Sequence, residues 1–203
     1  MEKIADIIKD LKAGHLILVT DHQDREDEAD LLMAAEFITT EKINFFLNHA
    51  RGLITVPISS AVAQRLDLPL MVKSNEGTLQ TAFTISVDAV SGTSSGISSA
   101  DRALTIKKLS DPSALAQDFE RPGHIFPLIA QDRGVFVRAG HTEAAIDLMK
   151  LADLFPVAVL CETLNAFGEA LRGEELSEFA QTFKIKMISI DEIKDHLALM
   201  NRP

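Results

Sequence analysis

The sequence predicts an α/β (α+β) fold, a single compact domain over residues 1–203 in which a mixed sheet is flanked by helices. Apolar residues make up 46% of the chain, which is enough to build a sizeable core. Apolar runs of strand length alternate irregularly with segments of helical periodicity. No repeat, low-complexity tract or linker interrupts this alternation, and one mixed domain is therefore expected.

In the N-terminal half, the spacing of apolar residues distinguishes helices from strands. Isoleucine and leucine recur at helical spacing over residues 4–11, and Gly14 stands where a helix C-cap is expected. Residues 82–87 alternate apolar and polar side chains, which predicts a half-buried strand. The other apolar segments predict strands at 16–19 and 52–58 and helices at 31–37, 41–50 (capped by Thr39 or Thr40) and 61–66.

The C-terminal half begins with a loop rich in glycine and serine at residues 91–99. Proline and glycine break the periodicity at residues 121–124, which predicts a rigid turn, and Pro127 breaks it again. Around these breaks, the pattern predicts helices at 100–109, 141–151, 174–183 and 191–199 and strands at 135–137, 157–160 and 186–190.

Composition argues against several classes of protein. The net charge of −10 speaks against a general nucleic-acid binder, which needs a basic surface. Cys161 is the only cysteine, so an intramolecular disulfide is impossible and a reducing, cytoplasmic setting fits. No apolar stretch approaches the roughly 18 residues of a membrane span, and the N-terminus lacks a signal-peptide core. An enzyme or a small-ligand binder is expected.

Residues 21–30 concentrate six carboxylates and one arginine directly after a predicted buried strand. Such a cluster is either a solvated surface loop or a site that is neutralised by a cation. An EF-hand does not fit, because counting from Asp24 places Ala29 at the glycine position and Ala35 at the glutamate position. Mg²⁺ fits better, since it takes only one or two protein carboxylates and keeps its waters.

Residues 138–143 stand at a predicted strand-to-helix junction. The free N–H groups of a helix N-terminus attract anions such as phosphate, and Arg138 adds a forked donor. The alternative is that Thr142 only caps the helix and Arg138 faces water. His141 suits a metal ligand, a base or a structural histidine, and spacing does not decide among them.

Three further positions carry chemistry or structure. The glycine- and serine-rich loop lacks the lysine of a nucleotide-binding P-loop, and Ser98 with Asp101 fits a capping box. His124 falls in the predicted rigid turn and is either structural or catalytic. Glu162 follows an apolar strand, which suits a general base and equally a buried salt bridge.

Five segments together resemble the 3,4-dihydroxy-2-butanone-4-phosphate synthase family, which supplies the four-carbon unit of riboflavin. They are the acidic run at 21–30, GISSADR at 96–102, RPGHIFPL at 121–128, RAGHTEA at 138–144 and Cys161-Glu162. Their order and intervals match the family, and the similarity runs from about residue 4 to residue 197. The length matches the free-standing form, without a fused GTP cyclohydrolase domain.

The resemblance implies a lyase, dependent on Mg²⁺ or Mn²⁺, that converts D-ribulose 5-phosphate into 3,4-dihydroxy-2-butanone 4-phosphate and formate. It also implies a cytoplasmic homodimer whose site is built at the subunit interface, with no nucleic-acid or membrane partner. By resemblance, Glu26 and His141 hold the metal ion, and His124 and Glu162 carry the acid–base steps with a further polar or proton-transfer role for Asp21. The residues implied to bind substrate are Arg25, Asp30, Arg138, Ala139, Gly140, His141, Thr142 and Glu162.

The chain departs from the usual family pattern at several positions. Asp27 stands in place of the common Asn and adds negative charge beside Glu26. Ala29 replaces Gly and is expected to restrict the loop backbone. The other departures are Ser94 and Ser95 in place of a Thr pair, Thr55 in place of Cys, and Asp132, Arg133 and Asp153 at positions often held by glycine or small residues.

Two rival functions are compatible with the sequence. One is a diverged paralogue that binds a sugar phosphate and a metal with weak or altered activity, and formate release distinguishes it from the lyase. The other is a non-enzymatic metal-binding or interaction protein, which leaves Arg138, His124 and Glu162 unexplained.

Overall fold

The computed structural model describes residues 2–22 and 27–200, which form seven strands and seven α-helices. The strands are β1 (Ile17–Thr20), β2 (Ala29–Ala34), β3 (Thr55–Ile58), β4 (Val87–Ala89), β5 (Phe119–Ile129), β6 (Ala158–Glu162) and β7 (Lys186–Ser189). The helices are α1 (Glu2–Lys12), α2 (Thr40–Phe45), α3 (Ser60–Arg65), α4 (Ser99–Leu109), α5 (His141–Leu151), α6 (Gly173–Phe183) and α7 (Ile190–Met200).

The strands form one mixed sheet in the order β4-β5-β3-β6-β2-β1-β7. Strands β3 and β5 are parallel, as are β1 and β7, whereas the other neighbouring pairs are antiparallel. This arrangement confirms the predicted mixed sheet flanked by helices. No helix of the described residues is long and apolar enough to cross a membrane.

Helices cover both faces of the sheet. Side chains alternate between the two faces along each strand, so a strand such as β1 contributes to two cores. In β1, Leu18 joins one core, whereas Ile17 and Val19 join the other. The first core is closed mainly by α2, α3 and α4, and the second by α1, α5 and α7. The strands at the centre are therefore apolar on both faces.

Strand β2 corrects the predicted helix at 31–37. Leu31 and Met33 enter one core, while Leu32 and Ala34 enter the other, so the run carries no polar alternation. Leucine, methionine and alanine are also good helix formers, and burial on two faces overrides that preference. Only a 3₁₀ turn, Ala35–Phe37, follows the strand.

Two other strand predictions need correction. The predicted strand at 135–137 is a 3₁₀ turn, Gly134–Phe136. The strand predicted at 82–87 begins only at Val87, although Phe83 and Thr84 form isolated bridges. In both segments, a short apolar pattern was not sufficient to establish a regular ladder.

The segment at 121–124 is not a turn but lies inside the eleven-residue strand β5. The Arg121–Pro122 peptide is cis, and the register with β4 shifts between Val87 and Asp88. This bulge interrupts the ladder where a proline cannot donate a hydrogen bond. The strand therefore continues through a sequence that is typical of a turn.

Local signals identified most helices correctly. Thr39 accepts a hydrogen bond from the Lys42 N–H and caps α2, which continues as a π turn over Phe46–Ala50. Ser98 caps α4 by accepting from the Asp101 N–H, which confirms one half of the predicted capping box, whereas the Asp101 carboxylate accepts from the Ser94 and Gly96 N–H groups. Helix α5 has the predicted bounds, and Gly14, just after α1, has a left-handed φ of 72°.

Candidate active site

Two carboxylates and a histidine meet at one edge of the sheet. Asp30, at the start of β2, lies opposite Glu162, at the end of β6. His141 begins α5, which packs over this part of the sheet, and its Nδ1 lies 3.6 Å from Asp30 Oδ2. Asp30 and His141 are 3% and 5% exposed, so these polar groups are withdrawn from bulk water. A carboxylate at Nδ1 orients the ring and determines what its Nε2 can do.

A cleft of about 210 Å³ opens at this edge and contains five of the predicted site residues, namely Asp30, Arg138, His141, Thr142 and Glu162. Its other lining residues were not predicted as site residues; they are Glu28, Thr55, Leu79, Thr81, Phe83, Leu128 and Leu160. A larger cavity of about 710 Å³ beside α4 is lined by none of the predicted site residues. The smaller cleft is therefore the candidate active site.

Glu162 is held in position by the segment before β3. The Leu53 N–H donates to Glu162 Oε2 at 2.9 Å. A Cβ placed on Gly52 would collide with this carboxylate and with the Glu162 main chain. The absence of a side chain at Gly52 therefore lets the two segments approach closely and presents the carboxylate to the cleft.

Arg138 lines the cleft with its guanidinium already oriented. Nε donates to the Leu79 carbonyl at 3.0 Å and Nη2 to Thr81 Oγ1 at 2.9 Å, while Nη1 pairs with the buried Glu143 carboxylate. Arg138 follows a 3₁₀ turn, which corrects the expected strand-to-helix junction. The Glu143 carboxylate offsets the Arg138 charge, and the free N–H groups at the N-terminus of the eleven-residue helix are what favour a phosphate here.

Ala139 and Gly140 connect Arg138 to α5. Ala139 is exposed, and Gly140 is the N-cap residue of α5. Neither belongs to the lining of the cleft, although the two connect lining residues. Thr142 lines the cleft itself rather than capping the helix.

His124 forms a closely bonded pair with Asp88. Its Nδ1 lies 2.6 Å from Asp88 Oδ2, and its main-chain N–H donates to Asp88 Oδ1 at 2.9 Å. The glycine- and serine-rich loop packs on this pair at Gly96, whose φ of 86° favours glycine and whose Cβ would collide with both side chains. The carboxylate orients the imidazole, as in sites where histidine moves protons.

His124 nevertheless lies outside the lining of the cleft. Thr55 pairs with both Phe126 of β5 and Leu160 of β6. His124 and Glu162 each lie two residues from these partners, toward the same edge of the sheet. Since neighbouring strands are about 4.8 Å apart, their Cα atoms are separated by roughly 10 Å.

The described ends of the acidic segment are joined to each other. The Glu28 N–H donates to Asp21 Oδ1 at 2.9 Å, and the Asp21 N–H donates to the Glu28 carbonyl at 3.2 Å. Asp21 therefore closes the base of the segment, and Glu28 lines the cleft. The predicted site residues Arg25 and Glu26 lie outside the described residues.

Three of the departures from the family pattern, at Asp27, Ala29 and Thr55, have local explanations. Asp27 has a φ of 53°, which aspartate tolerates, and its Oδ2 lies 3.0 Å from Arg172 Nε. Ala29 belongs to β2 and has no positive φ, so the expected restriction by Ala29 is wrong. Thr55 Oγ1 donates to the Leu160 carbonyl at 3.3 Å.

The local environment shifts the pKa of two groups near the site, Asp101 and Cys161. Hydrogen bonds from the Ser94 hydroxyl and main chain lower the pKa of the Asp101 carboxyl. Burial raises the pKa of the Cys161 thiol, and the neighbouring Glu162 and Asp30 charges act in the same direction. Cys161 is therefore a neutral core side chain behind the site.

The donor set of the cleft suits a hard divalent cation. Oxygen from carboxylates and nitrogen from one imidazole are ligands that Mg²⁺ and Mn²⁺ accept. Within residues 2–22 and 27–200, no group of three or more histidine, cysteine or acidic side chains has the geometry of a metal cage. Mg²⁺ usually keeps several waters, so the few donors present fit it without such a cage.

Two residues missed from the sequence left weak signals. Glu28 stands two residues before Asp30, the spacing that places strand residues on one face. Asp88 stands just after the alternating segment at 82–87. In neither case does the local sequence reveal the distant partner.

Comparison with known proteins agrees with this arrangement. The sequence profile of the 3,4-dihydroxy-2-butanone 4-phosphate synthase family matches residues 5–196. A Neisseria meningitidis serogroup A protein named 3,4-dihydroxy-2-butanone 4-phosphate synthase is 47% identical over 193 residues, which are 95% of this chain and 53% of the relative. A Staphylococcus aureus protein named riboflavin biosynthesis protein RibBA is 47% identical over 195 residues, covering 96% of this chain and 49% of the relative. The chain thus spans about half the length of these curated relatives.

Solved structures show the same fold. A crystal structure of 3,4-dihydroxy-2-butanone 4-phosphate synthase in complex with two magnesium ions superposes with a TM-score of 0.92 at 41% identity, covering 97% of both chains. The Candida albicans synthase gives a TM-score of 0.88 at 40% identity and covers 96% of both chains. The chain belongs to the 3,4-dihydroxy-2-butanone 4-phosphate synthase family.

Proposed function

We propose that the chain catalyses the Mg²⁺-dependent conversion of D-ribulose 5-phosphate into 3,4-dihydroxy-2-butanone 4-phosphate and formate, a step of riboflavin biosynthesis. The observation that carries this proposal is the cleft itself, which joins Glu162, Asp30 and His141 to Arg138 and the start of α5. Acid–base groups and a phosphate-binding end are thus adjacent, as a sugar-phosphate lyase requires. Family membership supports the same reaction.

The proposed reaction begins with proton removal beside the ketone, which gives an enediol. Water is then lost, the carbon skeleton rearranges, and the fourth carbon leaves as formate. The water lost earlier is taken up again when formate leaves. The five-carbon substrate therefore equals the four-carbon product plus formic acid, and no oxidant or reductant is needed.

Glu162 is the proposed base at the cleft. Leu53 N–H binds Oε2, so Oε1 is the oxygen assigned to the substrate proton. His124 is the proposed partner in proton transfer, acting through Nε2 because Asp88 holds Nδ1. Asp21, whose Oδ1 accepts from the Glu28 N–H at the base of the acidic segment, is assigned a further polar or proton-transfer role.

Arg138 and the N-terminus of α5, including Thr142, are proposed to bind the phosphate, with Ala139 and Gly140 completing that wall. Arg25 and Asp30 are assigned to the sugar phosphate. Glu26 and His141 would hold the divalent ion, Mg²⁺ or Mn²⁺, which supplies stabilisation of negative charge on the oxygens of the enediol.

The test is an assay of purified protein with ribulose 5-phosphate and Mg²⁺, in which formate is measured with and without EDTA. Formate that disappears with EDTA and returns with added Mg²⁺ supports the proposal. Binding of the sugar phosphate without formate would instead identify a diverged paralogue.

We also propose a cytoplasmic homodimer whose site is shared between subunits. The separation of roughly 10 Å between His124 and Glu162 within one chain supports a shared site, since a second copy could supply its own His124. Co-expression of His124→Ala and Glu162→Gln chains tests this proposal. Shared sites give about a quarter of wild-type activity from two inactive chains, because half the dimers carry one intact site. Sites complete within one chain give none.

A further inference from the structure

Arg172 binds the residue that leads out of the acidic segment. Its Nε donates to the Asp27 carbonyl at 2.7 Å and also lies 3.0 Å from Asp27 Oδ2. The N–H thus donates to a main-chain oxygen, and the same guanidinium forms an ion pair with the carboxylate of that residue. Asp27 is also the residue at which the chain takes a left-handed φ of 53°. The contact therefore holds both the charge and the backbone at this bend.

Arg172 directly follows a hairpin formed by residues 163–171. The start of this hairpin, at Thr163, binds the same segment as Arg172 does, at residues 27–29. Thr163 donates to the Ala29 carbonyl through both its N–H (3.0 Å) and its Oγ1 (2.6 Å). The chain then turns back, and Leu171 N–H bonds the Thr163 carbonyl at 2.8 Å. The start of the hairpin and the residue after it thus bind Ala29 and Asp27.

Glu28 is the residue between these two attachments. Glu28 lines the cleft, and its N–H is held by Asp21 Oδ1. The main chain is bound at residues 27, 28 and 29, so Glu28 has little freedom to move away from the cleft. The hairpin attachment thus acts on the cleft through Glu28.

We propose that Arg172 is a positioning residue of the active site. It neutralises Asp27 and holds the main chain at residue 27, and thereby determines where Glu28 stands in the cleft. The proposal deepens the proposed function, since it rests on a metal-dependent site at this cleft. It also explains how this chain accommodates an acid at position 27, because the added charge is paired with Arg172.

The competing explanation is an ordinary surface ion pair. The two side chains are 49% and 42% exposed, and pairs of this kind contribute little to stability. The two explanations differ in what they predict for the cleft. A surface pair affects only stability, whereas a positioning residue affects cation binding without large loss of stability.

The test compares Arg172→Gln with Arg51→Gln. Arg51 is a matched control, because its Nη1 donates to the Leu164 carbonyl of the same hairpin at 3.0 Å without contacting Asp27. Mn²⁺ alone is the probe, and its affinity is measured by electron paramagnetic resonance, with Tm measured on the same samples. We expect Arg172→Gln to weaken Mn²⁺ binding about threefold to fivefold and Arg51→Gln to leave it unchanged.

Substitution of the partner provides the second measurement. Arg172→Gln removes the ion-pair partner of the Asp27 carboxylate. In the Asp27→Asn background that carboxylate is absent, so Arg172→Gln should weaken Mn²⁺ binding less than it does in the wild-type chain. Arg172→Lys, which keeps the charge, should retain part of the affinity. Equal effects of Arg172→Gln in both backgrounds, or a loss of Tm with unchanged Mn²⁺ affinity, would overturn the proposal.

Failure of this inference can be distinguished from failure of the proposed function. A protein that releases no formate, yet shows the expected loss of Mn²⁺ affinity in Arg172→Gln, refutes the lyase and supports the positioning role. If the wild-type protein releases formate, and the wild-type and Arg172→Gln proteins bind Mn²⁺ with the same affinity, only the positioning role is refuted. A wild-type chain that binds no Mn²⁺ also refutes it.

Discussion

Asp30 and Glu162 face each other directly across the antiparallel strands β2 and β6. Directly opposed residues in such a pair have Cα atoms about 4.5–5.5 Å apart, so two acids share one small cleft. Each has a different neighbour, since His141 lies beside Asp30 and the Leu53 N–H binds Glu162. These different neighbours agree with the roles proposed above, in which Asp30 contacts the sugar phosphate beside His141 and Glu162 accepts the substrate proton.

Replacement of Glu162 by glutamine should lower kcat by about a hundredfold or more, because the amide cannot accept the substrate proton. KM should change little, since Glu162 is not the group that binds the phosphate. Formate release under saturating substrate gives the measurement. Glu169→Gln is the control, because Glu169 is an exposed carboxylate on the hairpin after β6. A Glu162→Gln enzyme with an unchanged kcat would remove Glu162 from the mechanism.

Replacement of His141 by alanine should weaken divalent-metal binding and abolish activity while the fold is retained. The substitution removes the imidazole at the start of α5 and leaves the strands that form the cleft intact. Calorimetric titration with Mn²⁺ and a circular dichroism spectrum measure the two properties. His15→Ala serves as the control, since His15 is exposed and lies beside Asp10 at the end of α1. Wild-type metal affinity in His141→Ala would assign this histidine another role.

Replacement of Asp88 by asparagine should reduce kcat by about tenfold to a hundredfold, because His124 loses the carboxylate that orients its Nδ1. The double variant with His124→Ala should be no slower than His124→Ala alone, since the two residues act as one unit. Multiplying losses in the double variant would show that Asp88 acts independently of His124.

Replacement of Gly52 by alanine should reduce kcat although residue 52 bears no chemistry. The added Cβ would overlap the Glu162 carboxylate and displace it from the Leu53 N–H. We expect a loss approaching that of Glu162→Gln together with a lower Tm, because the Cβ also overlaps the Glu162 main chain. Gly77→Ala is the control, because a Cβ there meets only the Asn75 side chain at 3.1 Å. An active Gly52→Ala enzyme would show that Glu162 tolerates displacement.

The helices were predictable because their signals are local. The i, i+3, i+4 spacing in α1 and the caps Thr39 and Ser98 act within one or two turns of chain. Strand β2 was not predictable on the same grounds, because its identity depends on cores formed by other segments on both of its faces. Strand β5 likewise contains a proline and a glycine that are typical of a turn, and only its pairing with β3 and β4 makes it a strand.

The candidate site likewise combines features that local sequence indicates with features that only the tertiary structure determines. The residue types alone suited a cation at the acidic run, an anion at 138–143 and a general base at Glu162, since carboxylate, imidazole and guanidinium chemistry belongs to the side chains themselves. The phosphorylated substrate was implied by the resemblance of the five segments to the family. Their meeting depends on register, which places Asp30 opposite Glu162, and on the packing of α5, which brings His141 to them. Asp88 and Arg172 bind residues 36 and 145 positions away along the chain. No local pattern encodes such pairs, because they exist only when strand pairing and core packing have already brought distant segments together.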